Sequence, residues 1–314
     1  MQVLDLALPL FALILIGYVS ARLKKLPESA LGWMNFFIVY VVLPALFFQL
    51  IRKAPVESLA NFRFIAAASG ATVLVFFGSF VLGRFVLRRE FPVATMQAVA
   101  GSYSNVGYMG PALTLAALGQ SALVPTILIF CVDNAFLFII TPLFMAFASR
   151  NGEQSTLVFL LQIIRRVVLH PFILATILGV IAAATRLPVP TALDKILTML
   201  SNSAAPAALF TMGVVIAHRK VLIKGPGVPL LLFIKLIIHP VLVYLLLEAL
   251  GPFDPVWKYT AVLMACLPPA LNVYVLASDY QTYVREASSI VLLGTILAVG
   301  SVTTALYLIG HGLI

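Results

Sequence analysis

Two stretches of this 314-residue sequence put helix-breaking and amide-bearing residues inside long apolar surroundings. The first reads Gly101-Ser102-Tyr103-Ser104-Asn105-Val106-Gly107-Tyr108-Met109-Gly110-Pro111. The second reads Leu267-Pro268-Pro269-Ala270-Leu271-Asn272-Val273-Tyr274. Consecutive prolines delete two helical N–H donors and clash with the preceding turn. Each glycine weakens a helix by roughly 1 kcal/mol relative to alanine. Both runs are therefore expected to unwind, and the amides and carbonyls so freed are ligand groups. Half-helix N-termini favour anions and C-termini favour cations. Asn105 and Asn272 each add a side-chain amide with two donors and an acceptor. The chemistry this pattern predicts is the holding of a small solute. Gly107, Tyr108, Gly110, Pro111, Pro268, Pro269 and Tyr274 complete the candidate binding set. The plainer alternative is a proline kink repaired by neighbouring Ser or Thr.

Charged residues inside apolar runs form a second group. Asp133 stands near the centre of Phe130-Cys131-Val132-Asp133-Asn134-Ala135-Phe136. A central Asp costs at least about 2.5 kcal/mol on insertion scales, so it must face the protein interior. It is a candidate for coupling to a proton or cation, or else a structural group that caps a broken helix or pairs with Lys235. Lys235 lies four residues before His239 on one helical face. It attracts an anionic solute, balances Asp133, or simply snorkels to the membrane boundary. His170 and His239 each precede a proline and read as helix-entry or interior hydrogen-bonding residues. No second His, Cys or carboxylate stands at ligand spacing, so no metal site is expected. Cys131 and Cys266 read as small buried hydrophobes.

Nothing here suggests an enzyme or a cofactor. The sequence has neither a phosphate-cradling Gly-rich loop with Lys nor a His-Glu-x-x-His pair. Asp133 alone lacks the second titratable partner that acid–base work usually needs.

The elements that must position these groups follow from composition. Hydrophobic residues make up 62% of the chain and charged residues 10%, against roughly 25% charged in soluble domains. A chain this apolar is solvated mostly by lipid, where every backbone polar group must be paired internally. The apolar runs are long and continuous, which selects helices over a barrel. Spans are expected near 4–21, 31–51, 64–87, 93–118, 122–148, 157–184, 193–217, 227–250, 256–279 and 286–309. The net charge of +9 sits in short loops, where it encodes topology and not nucleic-acid binding. Thirteen Lys and Arg fall in the loops after the odd-numbered spans and six on the opposite side, or eleven against six if Arg165 and Arg166 belong to span six. Either count puts the first side in the cytoplasm and both termini outside it.

The halves resemble each other. Pro9, Gly17 and Pro44 return as Pro171, Gly179 and Pro206, each 162 residues later. Five spans per half is odd, so the second half enters from the opposite side, as in many secondary transporters. The expected domains are 1–148, a connector at 149–156, and 157–314. An inverted repeat within one chain fits alternating access better than a channel, whose filter is commonly shared between subunits.

The motif Asn105-Val106-Gly107-Tyr108-Met109-Gly110-Pro111, with Pro268 through Asn272 and then Ala277 and Tyr280, resembles the auxin efflux carrier family. It is closest to the short prokaryotic members that lack a long central loop. The likeness runs over essentially the whole chain. It implies an all-α membrane protein of ten helices in two inverted repeats, with broken helices four and nine crossing. That architecture is like the bile acid/sodium symporters and of elevator type. Spans 1, 2, 6 and 7 would form a scaffold, and spans 3–5 and 8–10 a moving transport unit. Plant members carry proline where this chain has Asn272. The resemblance also implies a homodimer in a bacterial inner membrane, with a small organic anion as substrate and H+ or Na+ as candidate coupling ion. The reading is therefore a carrier of a carboxylate held by Asn105 and Asn272, with a cation-coupled symporter of another solute class or a channel-like facilitator as alternatives.

Overall fold

The computed structural model describes residues 2–25, 27, 30–54, 60–148, 161, 165, 168–169, 171–186, 188–218 and 227–314. The connector at 149–156, Arg166 and His170 lie outside them. The described residues form helices and loops and contain no β-strand. We label α1 Gln2–Lys24, α2 Leu31–Arg52, α3 Phe62–Val86, α4 Phe91–Ser102, α5 Gly110–Leu118 and α6 Gln120–Ala148. The remainder are α7 Pro171–Thr185, α8 Thr191–Ala217, α9 Gly227–Leu250, α10 Pro255–Ala265, α11 Leu271–Asp279 and α12 Val284–Gly310.

Six of these, α2, α3, α6, α8, α9 and α12, are long and apolar enough to cross a membrane, by length and composition. They coincide with expected spans two, three, five, seven, eight and ten. Expected spans four and nine are instead each a pair of half-helices, α4 with α5 and α10 with α11. Of span six, α7 and Leu161, Arg165, Val168 and Leu169 are described.

Local sequence explains where helices start and loosen. Asn61 caps α3 by accepting a hydrogen bond from Phe64 N at 3.1 Å. Asp254 caps α10 through Val256 N at 2.8 Å, with Pro255 in the first turn where its missing N–H costs nothing. Two helices widen to π-turns just before a proline. They do so at Phe37–Val42 ahead of Pro44 and at Ile234–Ile238 ahead of Pro240. A proline clashes with the carbonyl four residues back and cannot donate to it, so the preceding turn opens. Lys235 sits in the second of these turns.

Two packing groups result. α1 lies on α8, and α2 on both α7 and α8. α3 packs on α4, α6 and α9, while α12 packs on α11 and α9. The first group closes through very tight backbone approaches. A Cβ on Gly17 would lie 2.0 Å from the Phe210 carbonyl oxygen, and one on Gly213 would lie 1.9 Å from that of Ile14. Gly179 packs less tightly: a Cβ there would lie 2.9 Å from the Ile51 side chain and 3.4 Å from the Phe48 carbonyl oxygen. At one end, Arg52 pairs with Asp194, and Gln49 Nε2 donates to the same carboxylate at 3.0 Å. The second group is held by aromatic edges. Phe76 meets Phe136 and Phe144 at 5.5 and 5.6 Å between centroids, and Phe80 meets Phe144 at 5.2 Å. Such pairs are worth about 0.5–1.5 kcal/mol beyond area burial.

Because backbone and not a flexible side chain faces Gly213, α1 and α8 must separate to admit a methyl. Gly213→Ala is expected to cost about 1–3 kcal/mol, seen as a lower melting temperature in detergent. An unchanged melting temperature would contradict the packing.

Candidate functional site

The site is built where the two interruptions meet. α4 ends at Ser102 and α5 resumes at Gly110; α10 ends at Ala265 and α11 resumes at Leu271. The gaps lie side by side and are sewn together by an antiparallel bridge between Ser104 and Pro269. Asn105 N donates to Pro268 O at 2.8 Å, and Ala270 N donates to Tyr103 O at 2.9 Å. Each broken strand thus satisfies amides that its own helix abandoned. Without that pairing, unwound backbone at membrane depth costs several kcal/mol per group.

Pairing is incomplete at residues that line a cavity of about 1030 Å³. The N–H groups of Leu271 and Asn272 begin α11 with neither a backbone acceptor nor a side-chain cap. A helix start of this kind carries partial positive charge and free donors, a ready anion seat. Asn105, 1% exposed, divides its side chain. Its Oδ1 accepts from Tyr108 N at 3.3 Å, while Nδ2 donates to the thioether of Met212 on α8 at 3.3 Å. A thioether is a weak acceptor, so those amide hydrogens are available to a stronger one.

Four members of the candidate set line the cavity: Asn105, Gly107, Tyr108 and Asn272. Gly110, Pro111, Pro268 and Pro269 are buried behind the crossing and shape it. Tyr274 lies on α11 away from the lining.

Several lining residues escaped the sequence reading. Tyr103 is the hub of a hydrogen-bonded bridge. Its hydroxyl donates to Asn134 Oδ1 on α6 and accepts from Asn272 Nδ2 at 2.9 Å. Asn134 Nδ2 in turn donates to Phe130 O at 2.7 Å. Asn35 also lines the cavity, and its Oδ1 is buried with no hydrogen-bond partner. Among the described lining residues Arg165 is the sole cation and Asp279 the sole carboxylate. Tyr103 and Asn134 are polar residues next to motif residues, which is the signal that could have found them. Asn35 and Arg165 come from distant segments, and only the folded arrangement brings them near.

Asp133 and Lys235 lie outside this cavity, on its protein side. They are 3% and 0% exposed. No direct ion pair joins them; Thr72 and His239 stand between. Thr72 Oγ1 donates to Asp133 Oδ2 at 2.9 Å and lies 3.3 Å from His239 Nε2. Lys235 Nζ lies 3.0 Å from His239 Nδ1 and donates to Ala265 O at 2.7 Å. Ser69 neighbours the carboxylate, but neither its Oγ nor Asp133 Oδ1 makes a hydrogen bond. Lys235 therefore does not snorkel, and His239 is an interior hydrogen-bonding residue.

A family model described as "Membrane transport protein" matches residues 2–308. The chain belongs to that family, the auxin efflux carriers. It is 45% identical over 311 residues to a Rhizobium meliloti protein named "Putative malonate transporter", covering 99% of this chain and 97% of that one. It is 25% identical over 291 residues to the "Uncharacterized transporter YfdV" of Escherichia coli strain K12, covering 90% of each. It is 24% identical over 155 residues to "Auxin efflux carrier component 8" of Arabidopsis thaliana, covering 48% of this chain and 42% of that one. This is a multi-pass membrane transporter family and not one of enzymes. The family model's match at residues 2–308 includes both helix interruptions.

The bridge through Tyr103 gives a clean test. Tyr103→Phe keeps the ring, strands the buried Asn134 Oδ1 and removes the acceptor of Asn272 Nδ2. The expected cost is about 1–3 kcal/mol, measured as a lower unfolding midpoint. An unaltered midpoint would show that the bridge carries no stability.

Proposed function

We propose that the chain is a secondary active transporter of a small organic anion, a carboxylate of malonate's class. The carrying observation is that crossed half-helices leave the first-turn amides of α11 without partners in residues that line a cavity. One carboxylate accepts from Leu271 N and Asn272 N, with the Nδ2 groups of Asn105 and Asn272 beside it. Arg165 supplies the cavity's positive charge. The name of the Rhizobium meliloti relative supports the same substrate class.

Alternating access follows by an elevator movement: α3–α6 with α9–α12 carry the crossing past a scaffold of α1, α2, α7 and α8. The ten-span inverted repeat with 1–148 and 157–314 as its halves is part of this proposal. Symmetry of contacts supports it. Gly17 meets Phe210, and Gly179 meets Phe48; adding 162 to one member of the first pair and subtracting it from the other gives the second. Under an offset of 163, the hydrogen-bonded pair Asn105–Pro268 maps onto itself. A homodimer in a bacterial inner membrane, with both termini on the non-cytoplasmic side, completes the proposal. Asp133, as a candidate coupling site for H+ or Na+, acts behind the crossing and does not touch substrate.

A thermal-shift screen of mono- and dicarboxylates on the purified protein tests substrate class. Malonate-like anions are expected to raise the melting temperature by linkage. Asn272→Asp places a negative charge at the anion seat and is expected to weaken that binding at least about tenfold, roughly 1.4 kcal/mol. Stabilisation by cations or sugars, with none by carboxylates, would overturn the substrate class.

A further inference from the structure

Lys235 is a fully buried cation whose contacts include no substrate-facing group. Its place is informative. Ala265 O is the last carbonyl of α10, and the helical N–H that would satisfy it belongs to residue 269, a proline. This carbonyl is thus unpaired at the negative end of a half-helix dipole. In broken-helix carriers such ends, with unwound carbonyls, coordinate the travelling Na+ or H+. Here the spot is filled by the ammonium of Lys235, 2.7 Å away, held by the π-turn at Ile234–Ile238.

We propose that Lys235 is a built-in cation that takes the place of a mobile metal cation at this helix end, so that the transport cycle runs without bound sodium.

Hydrogen-bond directions make the assignment self-consistent. Thr72 has one hydroxyl hydrogen, and it goes to Asp133 Oδ2. His239 Nε2 must then donate to Thr72 Oγ1, which leaves Nδ1 bare to accept from the Lys235 ammonium. Along the wire from Lys235 through His239 and Thr72 to Asp133 each acceptor then meets one donor, and an ammonium with a carboxylate leaves no net charge. The titratable groups packed around it are Asp133 from α6, His239 on the same helix, Cys266 at the end of α10, and Tyr103 in the unwound segment. None adds a second negative charge for a metal ion to neutralise. A void of about 10 Å³ beside Asp133 and Ser104 is the room of a single water. Asp133 and Ser104, whose Oδ1 and Oγ are without partners, both line it.

The inference rests on the carrier reading, and two readouts keep them separable. The first needs no substrate: melting temperature of the full chain in detergent, with choline, sodium or methylammonium chloride at equal ionic strength. Wild type is expected to show no difference between them. Lys235→Ala opens the place the ammonium held, so sodium or methylammonium should raise its melting temperature by about 3 °C over choline. The second is malonate uptake into proteoliposomes. Wild type should be within about twofold in sodium and choline. Lys235→Ala should lose at least about tenfold and regain it with sodium or methylammonium. A merely structural lysine would give no cation-specific rescue. Sodium-specific stabilisation or sodium-driven uptake in wild type overturns the proposal, as does a folded Lys235→Ala that ignores both cations. If the variant does not fold, the wild-type arm decides. Absence of malonate uptake with the melting pattern intact would sink the substrate reading and leave the built-in cation standing.

Discussion

A backbone amide in lipid must find an acceptor, and this chain meets that demand at its crossing by letting two broken helices serve each other. Asn105 N reaches Pro268 O, and Ala270 N reaches Tyr103 O. Everything functional in the structure depends on these two bonds. They allow helices to stop in mid-span without orphaned groups. They fix α5 and α11 so that particular first-turn donors remain open. They also oblige the surroundings to supply partners for what is left: Ser301 Oγ for Cys266 O at 2.9 Å, and Lys235 Nζ for Ala265 O.

The crossing therefore separates two electrostatic environments by only a few residues of chain. On the cavity side, helix-start amides and the asparagines present donors, which suits an anion. On the protein side, a helix-end carbonyl presents an acceptor, which suits a cation. One interruption of α10 into α11 produces both, because a broken helix exposes a positive end and a negative end together. The cavity is large for a small carboxylate, so specificity must come from the few convergent donors and from water displaced when the site tightens, not from shape alone. The tight glycine contacts between α1 and α8 contrast with this. Backbone against backbone leaves little room to deform, a property expected of a static frame.

Much of this was legible in the residues. Prolines 268 and 269 announce a break because proline cannot donate, and the glycines around Asn105 announce its counterpart. Of the residues at equal offsets, Gly17 and Gly179 sit at close helix contacts and Pro44 follows a loosened turn. Composition required a lipid-solvated chain, and the long continuous apolar runs required helices. Two things were not legible. The first is partner choice across the fold: that Tyr103, and not Asn105, bridges Asn272 to Asn134 depends on which strand of the break lies deeper. The second is the intermediary between Asp133 and Lys235. Two opposite charges in apolar runs suggest a pair, but Thr72 on α3 carries no periodic or charge signal, and His239, legible as a helix-entry or interior hydrogen-bonding residue, carries no sign of its partners. The substrate side likewise gained Asn35 and Arg165 from segments that share no motif with the crossing.

The central claim is that paired helix breaks hold a carboxylate on free peptide donors. The most direct measurement is an electron cryomicroscopy map of the protein with saturating malonate. The account predicts unwound density at 103–109 and 266–270, with one carboxylate at hydrogen-bonding distance from the backbone nitrogens of Leu271 and Asn272. Continuous helices through both regions, or malonate bound elsewhere with those amides paired to protein, would contradict it.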